Sequence, residues 1–219
     1  METEVKLAFK DKESLISAAG SDWFSGHCKD PESRPVTLEN FYLDTPERGL
    51  ASRGVSLRKR HYTSEDVDFF EFTAKYKGEV KEGIHNYFEW NLKKSDGVLD
   101  LESFKRNAEG DDLGLLEEVL KGISEQDLIV LCSNTFDRIY YDFVFGESSM
   151  EACIDSGDIK DSKGNPKDLI CEIELELKDG TVEDLEKAKS EMVSRFGAVP
   201  FDETKLYRTL KASMAGGIL

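Results

Sequence analysis

No apolar run in this chain approaches the roughly 18 residues that a membrane-spanning helix needs, and no basic segment followed by an apolar stretch opens it. Neither a span nor a signal peptide is therefore expected, which leaves a cytoplasmic protein with no membrane role. Positive charge is scarce: 29 Lys and Arg stand against 45 Asp and Glu, a net charge of -16. That balance disfavours nucleic acid as a partner, although a local basic pocket is compatible with it because binding follows the local field. The four cysteines, Cys28, Cys132, Cys153 and Cys171, contain no CxxC pair, and with His27, His61 and His85 they make no zinc pattern. Reduced thiols are the expectation, with Cys153 and Cys171 as core residues of strands. A Walker motif, a GxGxxG and any Ser/His/Asp or Cys/His arrangement are all missing, which argues against P-loop, Rossmann and nucleophilic-hydrolase sites.

What the chain has instead is alternation. In Glu2-Thr3-Glu4-Val5-Lys6-Leu7, read as a strand, Glu2, Glu4 and Lys6 share one face. Near the other end, Glu172, Glu174 and Glu176 alternate with Ile173, Leu175 and Leu177. Carboxylates about 7 Å apart on one strand face repel by about 2 kcal/mol at an effective dielectric near 20. Divalent metal with oxygen ligands is the simplest way to hold them together; an ordinary half-exposed strand with its charges in water is the plainer account.

The same period recurs between these ends. Val55 to Tyr62 places Arg58 and Arg60 on one face, and Phe70 to Lys77 sets Phe70, Phe72, Ala74 and Tyr76 against Glu71, Thr73, Lys75 and Lys77. His85 to Lys93 sets Phe88, Trp90 and Leu92 against Tyr87, Glu89 and Asn91. Val36 to Leu43, Leu128 to Cys132, Thr135 to Phe145 (with Arg138 and Tyr140 opposite Ile139 and Tyr141) and Met150 to Lys160 (with Glu151 and Asp155 on one face) complete the strands. Helices are expected over residues 12–19, 99–123 and 181–196 and after Asp202, where Lys205 and Arg208 share a face; residues 21–36 read as a polar loop. About eight antiparallel strands can close a barrel. Either the apolar faces fill it and charges meet water, or helices cover the apolar faces and charges line a tunnel; the amphipathic helices favour the tunnel. Clustered carboxylates beside Arg and Lys suit a phosphate chain chelated by metal.

At this point the sequence resembles the CYTH superfamily, the triphosphate tunnel metalloenzymes. Glu2-Thr3-Glu4-Val5-Lys6 is similar to its ExExK signature, Phe41-Tyr42-Leu43-Asp44-Thr45-Pro46 to its FYxDTP segment and Leu57-Arg58-Lys59-Arg60 to its LRxR segment. Phe72-Thr73-Ala74-Lys75, Phe88-Glu89-Trp90, Phe136-Asp137-Arg138, Ile170 to Glu176 and Thr204-Lys205 follow in order, and the set most resembles the bacterial inorganic triphosphatase branch. The resemblance implies an α+β fold: an eight-stranded antiparallel β-barrel tunnel with a charged interior, open at both ends and covered by helices. Residues 1–213 would be one domain, with 214–219 a flexible tail.

The implied activity is hydrolysis of inorganic tripolyphosphate to pyrophosphate and phosphate with Mg2+ or Mn2+. Glu2 and Glu4 would be metal-side carboxylates with Glu172 and Glu174 opposite; Lys6, Arg58, Arg60, Lys75 and Arg138 would hold phosphate oxygens, and Lys205 would approach from one end. Lys6, Glu4 and Glu174 are expected at the reacting centre. Glu89, Asp155 and Glu176 match acidic tunnel positions that either bind or orient the basic residues; Lys77 is a phosphate contact or a rim charge, and Arg208 accompanies Lys205. The competing readings are a nucleotide enzyme of the same fold (an adenylate cyclase, or a nucleoside or thiamine triphosphatase), a non-catalytic polyphosphate-binding module, and an acidic barrel with a solvated charged face.

Overall fold

The computed structural model describes residues 2–29, 35–76, 80–108, 110–161 and 163–214, with the side chains of residues 110 and 111 left aside. Lys77 and residues 215–219 of the expected tail lie outside the described residues. Eight strands make the barrel: β1 (Glu2–Ala8), β2 (Val36–Asp44), β3 (Val55–Thr63), β4 (Asp68–Tyr76), β6 (Ile84–Lys94), β7 (Ile129–Phe145), β8 (Ser148–Lys160) and β9 (Pro166–Asp179). Their order around the wall is β1-β9-β8-β7-β2-β3-β4-β6, and β6 returns to β1, so the sheet closes and exposes no long edge. All these pairings are antiparallel. Two-residue strands, β5 (Val80–Lys81) and β10 (Val199–Pro200), add to β6 and β1.

The apolar faces point outward and are covered. On one side Val5, Leu7, Met150, Ile154, Ile173 and Leu175 pack under α1 (Lys12–Ala19), α2 (Asp22–Ser25) and α5 (Val182–Phe196), which contribute Leu15, Phe24, Leu185 and Met192. On the other, Leu57, Phe72, Ala74, Trp90 and Leu92 pack under α3 (Leu101–Asn107) and α4 (Gly110–Val119) through Leu101, Phe104 and Leu116. Each such side chain contributes about 1.5–3 kcal/mol when fully buried, so the helices settle which face of the sheet is inside. The local signals agree: Asp11 caps α1 by accepting from the Ser14 amide at 2.8 Å, and Thr181 caps α5.

A third cluster lies within the barrel. Leu38, Phe136, Ile159 and Ile170 share the inward parity of the charged residues and meet Ala212 of α6 (Lys205–Met214). The last helix is therefore set into one end of the barrel, where the resemblance implied an opening. Gly157 permits the wall to close there: an added Cβ would stand 2.6 Å from Phe136 Cβ on the paired strand. Gly157→Ala should lower the unfolding free energy by about 1–3 kcal/mol in a urea titration.

Three expectations are corrected. Residues 22–25 are a helical turn rather than loop, because Ser21 caps it and Phe24 is buried; one turn is too short to show a period. The helical stretch over 99–123 is two helices, with Ala108 extended after α3. The two strands expected over 128–145 are one, because Ser133 and Asn134, turn-forming types, pair with Phe41 and Asn40 of β2. Cys153 and Cys171 are both buried, as expected: Cys171 in the outer core, Cys153 on the inner face of its strand between Glu151 and Asp155.

Candidate active site

Inward-facing residues of the wall surround a cavity of about 1090 Å³. That is at the upper end of the roughly 300–1,000 Å³ of small-molecule sites. Of the expected site residues it gathers Glu2, Glu4, Lys6, Arg58, Arg60, Lys75, Glu89, Arg138, Glu174, Glu176 and Lys205 on one surface. Lys59, between the two arginines, points outward, its ammonium 4.7 Å from the Phe70 ring. Glu172, Asp155 and Arg208 sit behind that surface. Arg208 bonds Glu172, Asp168 and the Leu169 carbonyl, which anchors α6 to β9.

Strands β1 and β9 are neighbours rather than opposite walls: Glu4 is in register with Glu176, and Lys6 with Glu174. The interleaving lets lysines separate the acids. Lys6 Nζ lies 2.7 Å from Glu4 and 2.9 Å from Glu174. Lys205 Nζ occupies the centre of a tripod, 2.8 Å from Asp155, 2.6 Å from Glu172 and 2.9 Å from Glu174. Arg138 clamps Asp155 and Glu174 at 2.6 and 2.5 Å. Burial alone would raise the Glu174 carboxyl, but Lys205, Lys6 and Arg138 hold it well below the usual range.

A second acidic group is less well supplied. Lys75 Nζ lies 3.0 Å from Glu2 and 2.5 Å from Glu89. Burial and then the hydrogen bond with Glu89 push Glu2 up to about 9, so this carboxyl pair shares a proton. Burial also raises Glu176. Glu4 Oε1 and Glu89 Oε2 are buried without a hydrogen-bond partner, although each lies within ion-pair distance of a lysine. Those are directional misfits, and a cation bound by oxygen would remove them.

The cations on the facing wall have the reverse deficit. Arg60 is buried, donates from Nε to Asn40 at 2.6 Å and from Nη1 to Tyr62 at 3.4 Å, and has no carboxylate within ion-pair distance among the described residues. Arg58 donates to Thr73 at 3.0 Å, only reaches Glu71 at 4.0 Å, and its Nε is buried without a partner. Behind Arg60 a buried relay runs from Asn40 to Asn134 and on to Thr209 of α6, at 2.9 and 2.8 Å. Asn40, Asn134, Tyr62, Tyr87, Tyr140 and Phe69 were not singled out from the sequence as site residues. Their inward parity was visible for Tyr87 and Tyr140; what they contact was not.

The fold and this lining define a closed antiparallel barrel with an acidic wall facing an arginine wall. The CYTH domain family matches residues 1–208, and the chain belongs to it. The chain is 31% identical over 154 residues to the inorganic triphosphatase of Haemophilus influenzae, covering 70% of this chain and about 40% of that protein's length. Among solved structures it is similar to HpAC1 from Hippeastrum, an adenylyl-cyclase candidate reported to have a dominant triphosphatase activity; the TM-score is 0.67 at 17% identity, covering 100% and 98% of the two chains. It is also similar to the PH1819 protein from Pyrococcus horikoshii OT3, with TM-score 0.56, 13% identity and 95% and 98% coverage. These two likenesses show the fold.

Proposed function

We propose that this protein is a metal-dependent triphosphatase that hydrolyses linear tripolyphosphate to pyrophosphate and phosphate. The observation that carries it is Arg60: a buried guanidinium with no carboxylate within ion-pair distance among the described residues, beside the half-paired Arg58, in the same cavity as a carboxylate wall short of cations. An unpaired buried charge is costly unless a ligand completes it, and a phosphate chain presents the oxygens that a guanidinium fork fits. The family membership and the triphosphatase activity of the Haemophilus relative support the same reading.

The acidic wall fits Mg2+ or Mn2+, because Glu4 and Glu89 carry buried oxygens without hydrogen bonds. Glu2, Glu4 and Glu174 would hold the ion, with Glu176 and Glu89 beside them. Glu174 and Glu172 would contribute only as their cations turned to phosphate, since Lys6, Lys205 and Arg138 saturate the first and Lys205 and Arg208 the second. When bound, such an ion neutralises phosphate oxygens and makes water a better nucleophile. Arg58, Arg60 and Arg138 hold the non-bridging oxygens; Lys6 and Lys75 bridge acids and phosphate. The water oxygen bonds to the terminal phosphorus, the bridging oxygen leaves with pyrophosphate, and the proton passes to the carboxylate wall.

One observation favours the nucleotide alternative. Tyr62 and Phe69 stack at 4.4 Å beside Val36 and Val67 in the cavity lining, and Lys93 lies 5.3 Å from the Phe69 ring. That gives an organic group an aromatic place to rest. We rank tripolyphosphate above ATP, and ATP above pyrophosphate, which would leave part of the arginine wall unpaired. The measurement is kcat/KM for the three at saturating Mg2+. A tenfold preference for ATP, about 1.4 kcal/mol of transition-state stabilisation, would make the nucleotide reading the correct one.

A further inference from the structure

His85 is fully buried in the cavity wall. Its hydrogen bonds assign its tautomer. Nε2 lies 3.0 Å from the Phe201 carbonyl, which can only accept, so Nε2 carries the ring hydrogen. In the neutral ring Nδ1 is then an acceptor, and the Tyr87 hydroxyl, 2.8 Å away, must donate to it. Among the described residues no carboxylate lies within ion-pair distance of the ring, so an imidazolium there would be a buried charge without a counter-charge. Tyr87 itself lines the cavity, in register with Glu2 on the adjoining strand, while His85 is in register with Glu4.

A tyrosine among phosphate-binding residues would ordinarily donate its hydrogen to a phosphate oxygen. Here that hydrogen is already committed, and the phenolic oxygen offers the tunnel only lone pairs. A polyphosphate held by arginines and a divalent ion is fully ionised near neutral pH and has no hydrogen to give it. Lys6 and Lys75, the nearby ammonium groups, each commit two of three N–H donors to carboxylates, and in the reading above turn the third to phosphate. Water is the donor that remains.

Building on the triphosphatase reading, we infer that Tyr87 accepts a hydrogen bond from the attacking water beside Glu2 and Glu4, and that His85 is the positioning residue that fixes its hydroxyl in the accepting orientation. Tyr87 then orients the nucleophile without contributing to substrate binding. The Phe201 carbonyl, just ahead of α6, sets the histidine tautomer, so the segment leading into that helix also controls this orientation.

The two roles separate kinetically. Tyr87→Phe should lower kcat for tripolyphosphate about 10- to 100-fold, with KM within about twofold of the parent. A raised KM with kcat retained would mean that Tyr87 donates to phosphate, and would overturn the inference. His85→Leu should match Tyr87→Phe, and the double variant should be no worse than either. His85→Asn, whose amide oxygen can accept from Tyr87, should recover most of the loss; equal losses in the Leu and Asn variants would count against the proposal. Because His85 is buried, each variant is checked by its melting temperature. In addition, 15N NMR of the intact protein should show a neutral His85 with hydrogen on Nε2 and an Nδ1 resonance that moves in Tyr87→Phe. An imidazolium, or hydrogen on Nδ1, would overturn the inference whatever the activity. An inactive parent would instead overturn the triphosphatase reading, and the histidine signal would still decide the orientation of the hydroxyl.

Discussion

Replacing Glu4 by Gln is expected to reduce kcat for tripolyphosphate by about two orders of magnitude or more, while the metal-free protein keeps its fold. The side chain is buried, with Oε1 facing no hydrogen-bond donor of suitable direction. Its partner Lys6 keeps a second carboxylate, Glu174, at 2.9 Å, so removing the Glu4 charge does not strand a buried ammonium. Burial and Glu174 would raise the Glu4 carboxyl, but Lys6 and Lys75 hold it below its usual range, so neutralising it gives up a net attraction. The melting temperature of Glu4→Gln without metal should therefore lie modestly below that of the parent, with the fold retained. The rise in melting temperature on adding Mg2+, a direct measure of binding to the folded state, should be largely lost. Because Glu2 holds a proton up to about pH 9 in the metal-free protein, metal uptake should release protons and strengthen as pH rises. Full activity in Glu4→Gln, or an undiminished response to Mg2+, would sink the metal assignment.

Much of this site could be read from alternation alone, because a strand makes parity equal to orientation. Arg58 with Arg60, Lys75 with Glu71, and Glu172 with Glu174 and Glu176 all occupy the face assigned to them. Which face turned inward was decided by the helices: Leu15, Leu185, Phe104 and Leu116 need apolar cover, and only the outside of the sheet offers it. What parity cannot give is register between strands far apart in sequence. It did not show that Lys6 would fall beside Glu174, or that Lys205 would centre three carboxylates. Nor could it show that His85, besides meeting Tyr87, would reach Phe201, since that second contact joins residues 116 positions apart. Local turn chemistry misled at Ser133 and Asn134, where a long ladder with β2 outweighed the preference of those side chains for turns.

On the arginine wall, Arg60→Met should raise KM for tripolyphosphate about 10- to 100-fold while changing stability little. The opposing effects of the substitution can be compared. Removing the guanidinium leaves Asn40 Oδ1 without its donor, a cost of about 1–3 kcal/mol for a buried acceptor. It also ends the contacts with the Tyr62 and Phe136 rings, 5.6 and 5.9 Å from the guanidinium carbon and worth about 0.5–2 kcal/mol each. Against these stands relief of a buried cation with no carboxylate partner and with Arg138 as a like-charged neighbour, a penalty of several kcal/mol. Met preserves most of the packing of the arginine stem, so the sum should lie near zero, within about 1 kcal/mol on a urea melt. Binding has no such compensation: a charge-assisted hydrogen bond to phosphate is worth about 1.5–3 kcal/mol, which converts to the stated range in KM. The stabilisation that tripolyphosphate gives the parent in a thermal melt should shrink in parallel. Arg60→Lys keeps the charge but loses the fork, and should fall between the two. Unchanged kcat/KM for tripolyphosphate in Arg60→Met would remove the observation on which the triphosphatase reading rests.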